Sequence, residues 1–351
     1  MNDTVTMKSL ADVCDILDSQ RIPVTARDRV KGCYPYYGAN GIQDYVDKYI
    51  FDDELVLLAE DGGNFGSKES PIAYRVSGKC WVNNHAHVLK PHDNTDVDYL
   101  CYALMFYNTE GLVNGATRQK LTQSAMKKMM IPFCDLKRQQ EIVNELNAVS
   151  HLISLRQRQA EKLDELVKAR FVEMFGDPVL NTRRLPSAFG TSLFKLSNGK
   201  AVPAEKRFDS GIPAYGGNGI SWYTDEALIN TDTLVVGRVG FQSGNVHFAY
   251  GPLWITDNAM YVTWYRKELI CLRFLNQLMK RVDFSRYQDA GDLKKITQKP
   301  FMKFEYILPS MNLQMEFVNF MDSVNCEKER IQRSAALLET LKRSLMQQYF
   351  G

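Results

Sequence analysis

A chain of 351 residues is long enough for two domains of ordinary size, each with its own core. Its 45% hydrophobic and 24% charged residues make an ordinary globular balance, and a formal charge of +2 means that any basic surface must be local. No apolar run approaches the ~18 residues of a membrane span, and the acid-bearing start MNDTVTMKSLADVCDIL does not read as a signal peptide, so the expectation is a cytoplasmic protein with no membrane partner.

In chain order, the first region is β-leaning and rich in turns. The runs YIF, LVLLAE, IAYRV and HAHVLK are separated by Gly, Asn, Asp and Pro. The stretch DVDYLCYALMFYN (96–108) has helical apolar spacing. A basic patch, a proline (Pro132) and a long helical pattern follow. The order then starts again: TLVVGRV, NVHFAY and NAMYVTWY predict strands, KELICLRFLNQLMKR (267–281) predicts a helix, and a basic patch, Pro309 and a second long helix close the chain. Seven cysteines, odd in number and without a CxxC pair, fit reduced and mostly buried thiols.

The recurrence is literal in places. At an offset of 178, Tyr37-Gly38-Ala39-Asn40-Gly41-Ile42 meets Tyr215-Gly216-Gly217-Asn218-Gly219-Ile220, Tyr45 meets Tyr223, and VLLAEDGGNFG (56–66) lies on LVVGRVGFQSG (234–244). Later the offset is 175: Leu121-Thr122-Gln123 meets Ile296-Thr297-Gln298, Gln139 meets Gln314, Glu141 meets Glu316, and Phe175-Gly176 meets Phe350-Gly351. The chain is a tandem duplication, and the drift marks small loop insertions.

The long helices carry seams at alternating steps of four and three. Ile142, Leu146, Val149, Ile153, Ala160, Leu163, Val167 and Met174, with Arg156 and Arg170, form the first. Phe317, Met321, Val324, Lys328, Ile331, Ala335, Leu338, Lys342, Leu345 and Tyr349 form the second. Such a period favours a coiled coil of about 50 Å at 1.5 Å per residue. Seams of matching length predict that the helices pack on each other, antiparallel, with pairing between molecules as the competing solution. Polar seam residues that differ between the copies specify register.

The order of domain, helix ending KLDELVKARFVEMFGDP (162–178), domain, and helix ending LLETLKRSLMQQYFG (337–351) resembles the specificity subunit of type I restriction–modification systems. The duplicated YGxNGI turn, the Pro132–Gln139–Glu141 helix start and the Phe-Gly helix ends carry the resemblance, which covers almost the whole chain. It implies an α+β protein in which two duplicated β-rich target-recognition domains (1–135 and 177–310) are separated by a long antiparallel two-helix coiled-coil spacer (136–176 and 311–351). It further implies a non-catalytic subunit in which each domain reads half of a bipartite, asymmetric site on double-stranded DNA. Partners would be two methyltransferase subunits and motor-nuclease subunits. S-adenosylmethionine, ATP and Mg would bind those partners and not this chain.

Independent signals bear on this. The chain has no GxxxxGK[ST] loop and no NPPY-like tetrapeptide, and GANG and GGNG do not form a GxGxxG cradle; an Asn-Gly pair supplies the positive φ of a tight turn. His85 and His87 could share a strand face, but a shared metal is disfavoured because Asn258 and Met260 replace them in copy two. Ordinary loop acids explain EDGGN (60–64), whose counterpart RVGFQ cannot ligate a cation. Copy one has a basic patch at Arg118, Lys120, Lys127 and Lys128. Copy two has one from Lys280 to Lys303 that includes Arg281, Lys294 and Lys295. Two patches at equivalent places suit phosphate contacts at two half-sites, against the plain alternative of solvated faces.

Base reading is expected where matched loops diverge: Glu60, Asn64, Ser67 and Lys68 face Arg238, Gln242, Asn245 and Val246. Leu166, Phe171, Leu341 and Phe350 are candidates for subunit docking, against simple packing on the opposite helix. The helices would act as a ruler against the roughly 34–36 Å turn of B-DNA. The alternative from another class is a coiled-coil-spaced protein scaffold that binds no nucleic acid.

Overall fold

The computed structural model describes residues 5–115, 119–291 and 294–351, and the chain divides into two compact units. The first comprises 1–157 with 333–351, and the second comprises 158–332. Each unit therefore holds one β-rich domain, the adjoining part of the helix that follows it, and part of the other long helix. The compact bodies cut across the expected domain and helix ranges, because each long helix contributes apolar residues to the cores of both units.

In the first unit, β1 (Thr6–Ser9) leads through a short α1 (Leu10–Val13) into β2 (Cys14–Ile16), β3 (Lys31–Gly38), β4 (Gly41–Val46), β5 (Phe51–Ala59), β6 (Ala73–Val82) and β7 (Ala86–Pro91). Strands β2 to β7 form one sheet in the order β2-β7-β5-β6-β3-β4. Helix α2 (Val97–Met105), started by Asp96 accepting from the amides of Asp98 and Tyr99, packs on it. A small hairpin of β8 (Val113–Asn114) and β9 (Lys120–Leu121), then α3 (Gln123–Met126), leads to β10 (Met130–Phe133), which pairs antiparallel with β1. Helix α4 (Leu136–Phe175) follows.

The second unit repeats this order: β11 (Ser187–Phe189), α5 (Gly190–Leu193), β12 (Phe194–Asn198), β13 (Ile212–Gly216), β14 (Gly219–Thr224), β15 (Thr233–Gly237), β16 (Val246–Ala249), β17 (Trp254–Ile255), β18 (Ala259–Tyr265), α6 (Leu272–Arg281), α7 (Lys299–Lys303), β19 (Glu305–Ile307) and α8 (Met311–Phe350). Its sheet is split into β12-β18-β15-β16 and β14-β13-β17. The single β6 of copy one pairs with β5 along most of its length and with β3 at Trp81 and Val82. In copy two that strand breaks between Ala249 and Trp254, where Pro252 has no N–H to give a ladder. The register survives the break: Tyr37 pairs with Val82, and Tyr215 with Ile255.

The repeated turn is equally conserved in geometry. Gly41 and Gly219 both sit at φ 108°, where an L side chain is strained, and both hairpins shift register just before the turn, at Tyr36/Tyr37 and Ala214/Tyr215. Gln139 and Gln314, both fully buried, show why the helix start recurs. Gln139 Oε1 accepts from the Asp96 amide at 2.8 Å, and its Nε2 donates to the carbonyls of Asn94 (3.1 Å) and Cys134 (2.8 Å). Gln314 repeats the pattern with Cys271 (2.8 Å), Leu269 (2.9 Å) and Pro309 (2.8 Å). One carboxamide thus satisfies three backbone groups where a domain joins its long helix.

Each long helix has 40 residues, about 60 Å of rise. In the first unit, Ile142, Leu146, Val149 and Ile153 of α4 share an apolar cluster with Leu338 and Leu345 of α8, and the Tyr349 hydroxyl donates to Glu145 at 2.6 Å. In the second, Phe171 and Phe175 of α4 enclose Phe317 of α8, Asp164 meets Lys328, and Arg170 donates to Glu316 at 2.9 Å. Rising numbers on one helix meet falling numbers on the other, so the pairing is antiparallel and within one chain. The helix ends also dock on domains. Phe350 packs edge-on to Tyr99 of α2 at 5.1 Å in the first unit, and Phe175 packs on Phe274 of α6 at 5.0 Å in the second.

Among the seven cysteines, Cys14, Cys80, Cys101 and Cys134 are buried and unbridged. Burial pushes the thiols of Cys14, Cys80 and Cys101 up to about 12, which leaves them unreactive.

Candidate nucleic-acid interface

In both units the loop leaving the central strand lies against the basic segment. Where β5 ends, the Leu121 amide donates to the Glu60 carbonyl at 2.7 Å, and the Gly62 amide donates to the Gln119 carbonyl at 3.2 Å. Where β15 ends, the Ile296 amide donates to the Arg238 carbonyl at 2.9 Å, and the Gly240 amide to the Lys294 carbonyl at 2.8 Å. These are the same bonds at equivalent positions. The glycine turn completes the arrangement. Asn40 Nδ2 donates to the Gly62 carbonyl at 3.1 Å, and in copy two Gly217 packs so closely on Gly237 that a Cβ on Gly237 would lie 2.4 Å from the Gly217 carbonyl oxygen. Turn, divergent loop and basic segment are therefore one structural cluster, built twice.

Several expected site residues lie in or beside this cluster. Lys120, Lys294 and Lys295 are exposed, as are Lys68 and Lys127, and Asn64 is half-buried in a tight turn closed by the Ser67 amide. Gln242 and Asn245 are exposed on the loop after β15. Arg238 is half-buried, and its Nη1 donates to the Asp257 carbonyl at 3.2 Å, which holds the guanidinium in place. Arg118 lies outside the described residues.

The structure corrects other expectations. Val246, set opposite Lys68 by a constant offset, is buried in β16 and paired with Val236. The matching pair in copy one is Leu58 with Ala73, so the loop spans 59–72 there and only 237–245 in copy two, and Lys68 has no counterpart. Arg281, counted in the basic patch, is taken by packing: its guanidinium lies 3.8 Å from the centre of the Phe171 ring, and burial lowers its pKa to about 10. On the helices, Leu166 and Leu341 occupy equivalent positions and are exposed. Phe171 is fully buried, so its ring serves the core and is not free to dock another subunit, whereas Phe350 is half-buried against Tyr99.

Glu60 also departs from a simple base reader. Arg21 Nη1 lies 2.6 Å and Lys120 Nζ 3.0 Å from its carboxylate. The ring of buried His87 sits between Asp18, 2.6 Å from Nδ1, and the Leu121 carbonyl, 2.9 Å from Nε2. A carbonyl only accepts, so Nε2 carries a proton. Burial alone would raise the carboxyl of Glu60, yet hydrogen bonds from Arg21 and Lys120 and the charges of His87 and Arg21 outweigh it and hold the group below the usual range. Asp18 is likewise lowered, its burial being outweighed by His87, the Val88 amide and Arg21. Asp18, Glu60 and His87 place ligand-type atoms within 4.8 Å of one another, but Arg21, Lys120 and Gln123 already use the carboxylate oxygens that a metal would need. The cluster fixes the base of the loop. His85 is held separately by Asp61, 2.7 Å away. Sequence reasoning missed Arg21 and Asp18, which lie far from Glu60 along the chain and have no counterpart in the repeat.

Comparison with known proteins shows what these domains resemble. Residues 2–165 match the family of type I restriction modification DNA specificity domains. The similarity covers the first domain and most of the long helix that follows it. A Haemophilus influenzae protein whose name assigns it as a type I restriction enzyme specificity subunit is 39% identical over 150 residues, covering 43% of this chain and 38% of its own length. The chain thus matches well under half the length of that curated relative. In fold, the whole chain is similar to the type I restriction–modification S subunit from M. genitalium, with a TM-score of 0.61, 16% identity and coverage of 100% of this chain and 97% of the other. A chain from a type I restriction–modification structure concerned with complex assembly and conformational transition gives 0.60, 15%, 100% and 98%. The second unit repeats the specificity domain's element order, its turn, its glutamine clamp and its loop-to-basic-segment bonds. No described helix is long and apolar enough to cross a membrane.

Proposed function

We propose that the chain is the DNA-sequence selector of a type I restriction–modification complex. One observation carries this: in both units the same backbone bonds lay a loop of divergent sequence against an exposed basic segment. Lysines of that segment suit phosphates, which set position, while divergent side chains on the loops suit base edges, which set sequence. Two loops that differ read two different half-sequences, so the site is bipartite and asymmetric. The 40-residue helices act as the ruler that sets the unspecified gap.

In this reading the chain performs no chemistry. Two methyltransferase subunits bring S-adenosylmethionine, motor-nuclease subunits bring ATP and Mg, and the complex works in the cytoplasm. Leu166 and Leu341, exposed at equivalent points of the two helices, are the docking candidates that remain. The test is to co-express the chain with the adenine methyltransferase encoded beside it, sequence the host methylome, and measure duplex binding by the purified complex across a salt series. A gapped two-part methylated motif and steeply salt-dependent binding are expected. A complex that binds no duplex at any salt would return the chain to the scaffold reading.

A further inference from the structure

Phe241 is 87% exposed, the highest value among the exposed large hydrophobic residues of the described chain. A phenyl ring left in water forfeits the gain of burial, and here the fold itself holds it there. The backbone around it is tied down on both sides. The Gly240 amide donates to the Lys294 carbonyl at 2.8 Å, the Ser243 amide to the Gly240 carbonyl at 3.0 Å, and the Gly244 amide to the Gly237 carbonyl at 2.8 Å. Gln288 Nε2 donates to the carbonyls of Phe241 itself (3.3 Å) and Ser243 (2.7 Å). Gly240 and Gly244, at φ 96° and 101°, supply the two bends that push the segment outward. The loop is thus a rigid mount whose one large apolar side chain points away from the core.

Its surroundings indicate the partner. The mount is bonded directly to the segment carrying exposed Lys294 and Lys295, and its stem holds Arg238. An apolar ring fixed beside these cations is complementary to a polyanion that also offers apolar surface at short range. Duplex DNA offers both, as phosphates and as thymine methyls or base faces. At the equivalent position the first unit has Gly63, so this feature belongs to the second unit alone.

We propose that Phe241 is the apolar contact of the second domain with the bases of its half-site, bearing on a thymine methyl or on the face of a base step. The proposal rests on the reading of the chain as a DNA selector. It adds a determinant of specificity that no charge or hydrogen-bond pattern announces.

The test uses the full complex with its methyltransferase subunits, a duplex carrying the methylated motif, and the F241A and F241L variants. Phe241 makes no core contact, so both variants should melt with the wild type. Expected is a loss of about tenfold or more in affinity for the cognate duplex in F241A, with F241L intermediate and binding to unrelated duplex unchanged. Replacing thymine by uracil in the second half-site should weaken only the wild type if the methyl is the contact. A 2-aminopurine probe there should brighten only with the wild type if the ring opens a step. F241A binding the cognate duplex as tightly as the wild type overturns the inference alone. A wild-type complex that binds no duplex overturns the selector reading and this inference with it.

Discussion

Lys328 Nζ of α8 lies 2.6 Å from both carboxylate oxygens of Asp164 on α4. The lysine occupies a seam position that an apolar residue would fill with more packing, and the pair is partly exposed, at 26% and 52%. Its value is register more than strength, because a polar residue in the seam gives up packing but restricts which positions can face each other. A double-mutant cycle with Asp164→Asn and Lys328→Gln should give a coupling of about 0.2–1 kcal/mol that fades in high salt. A coupling indistinguishable from zero at low salt would remove the register role.

The helix residues once grouped as docking candidates should separate sharply. Phe171→Ala deletes a ring packed among Phe175, Phe274 and Phe317 and should cost about 3–5 kcal/mol. Leu166→Ala should stay within about 0.5 kcal/mol in thermal unfolding, and Leu341→Ala likewise. Gel filtration with methyltransferase subunits is the second readout: weakened assembly from either leucine, at unchanged melting, supports their docking role.

Acid should loosen the first unit at the base of its loop. Asp18 and Glu60 both have carboxyl pKa values lowered in the folded state, so the folded protein binds fewer protons there than the unfolded chain. The stability this supplies is complete above the ordinary carboxylate range, about 4, and is lost as the pH falls through the lower folded values. Hydrogen exchange at the Leu121 and Val88 amides, followed from pH 6 downward to about pH 3 on the acid side, should show falling protection after correction for intrinsic exchange. Glu60→Gln should be less protected near neutrality and should show a flatter pH dependence.

Position and sequence reading should be separable in the second unit. Lys294→Gln and Lys295→Gln should each reduce the slope of log K against log salt by about one and leave the methylated motif intact. Arg238→Ala should instead change only one half of that motif, with a discrimination loss of about 1–3 kcal/mol. A methylome unaltered by Arg238→Ala would remove that residue from base reading.

How much of this was legible in the amino acids depends on the range of the forces involved. The duplication, the turn geometry at Gly41 and Gly219, the helix starts at Gln139 and Gln314, and the two seams were all readable, because backbone strain, capping and apolar periodicity act between near neighbours in the chain. The resemblance of the whole architecture followed from their order. The loop alignment failed at Val246 because a shorter loop without any motif moved the next strand, and only the β15–β16 pairing shows where.

Other features belong to the tertiary structure alone. Phe171 and Leu166 look alike on a helical wheel, and which of them is buried depended on where α6 and α8 arrive. Asp18 with Arg21, Glu60, His87 and Lys120 come from four separate stretches and become one network only once β5, β7 and β9 lie side by side. Phe241 reads as an ordinary apolar residue until the fold leaves it in water on a pinned loop. Local geometry was written along the chain, whereas burial and charge compensation depend on residues far apart in sequence, and so only folding assigned them.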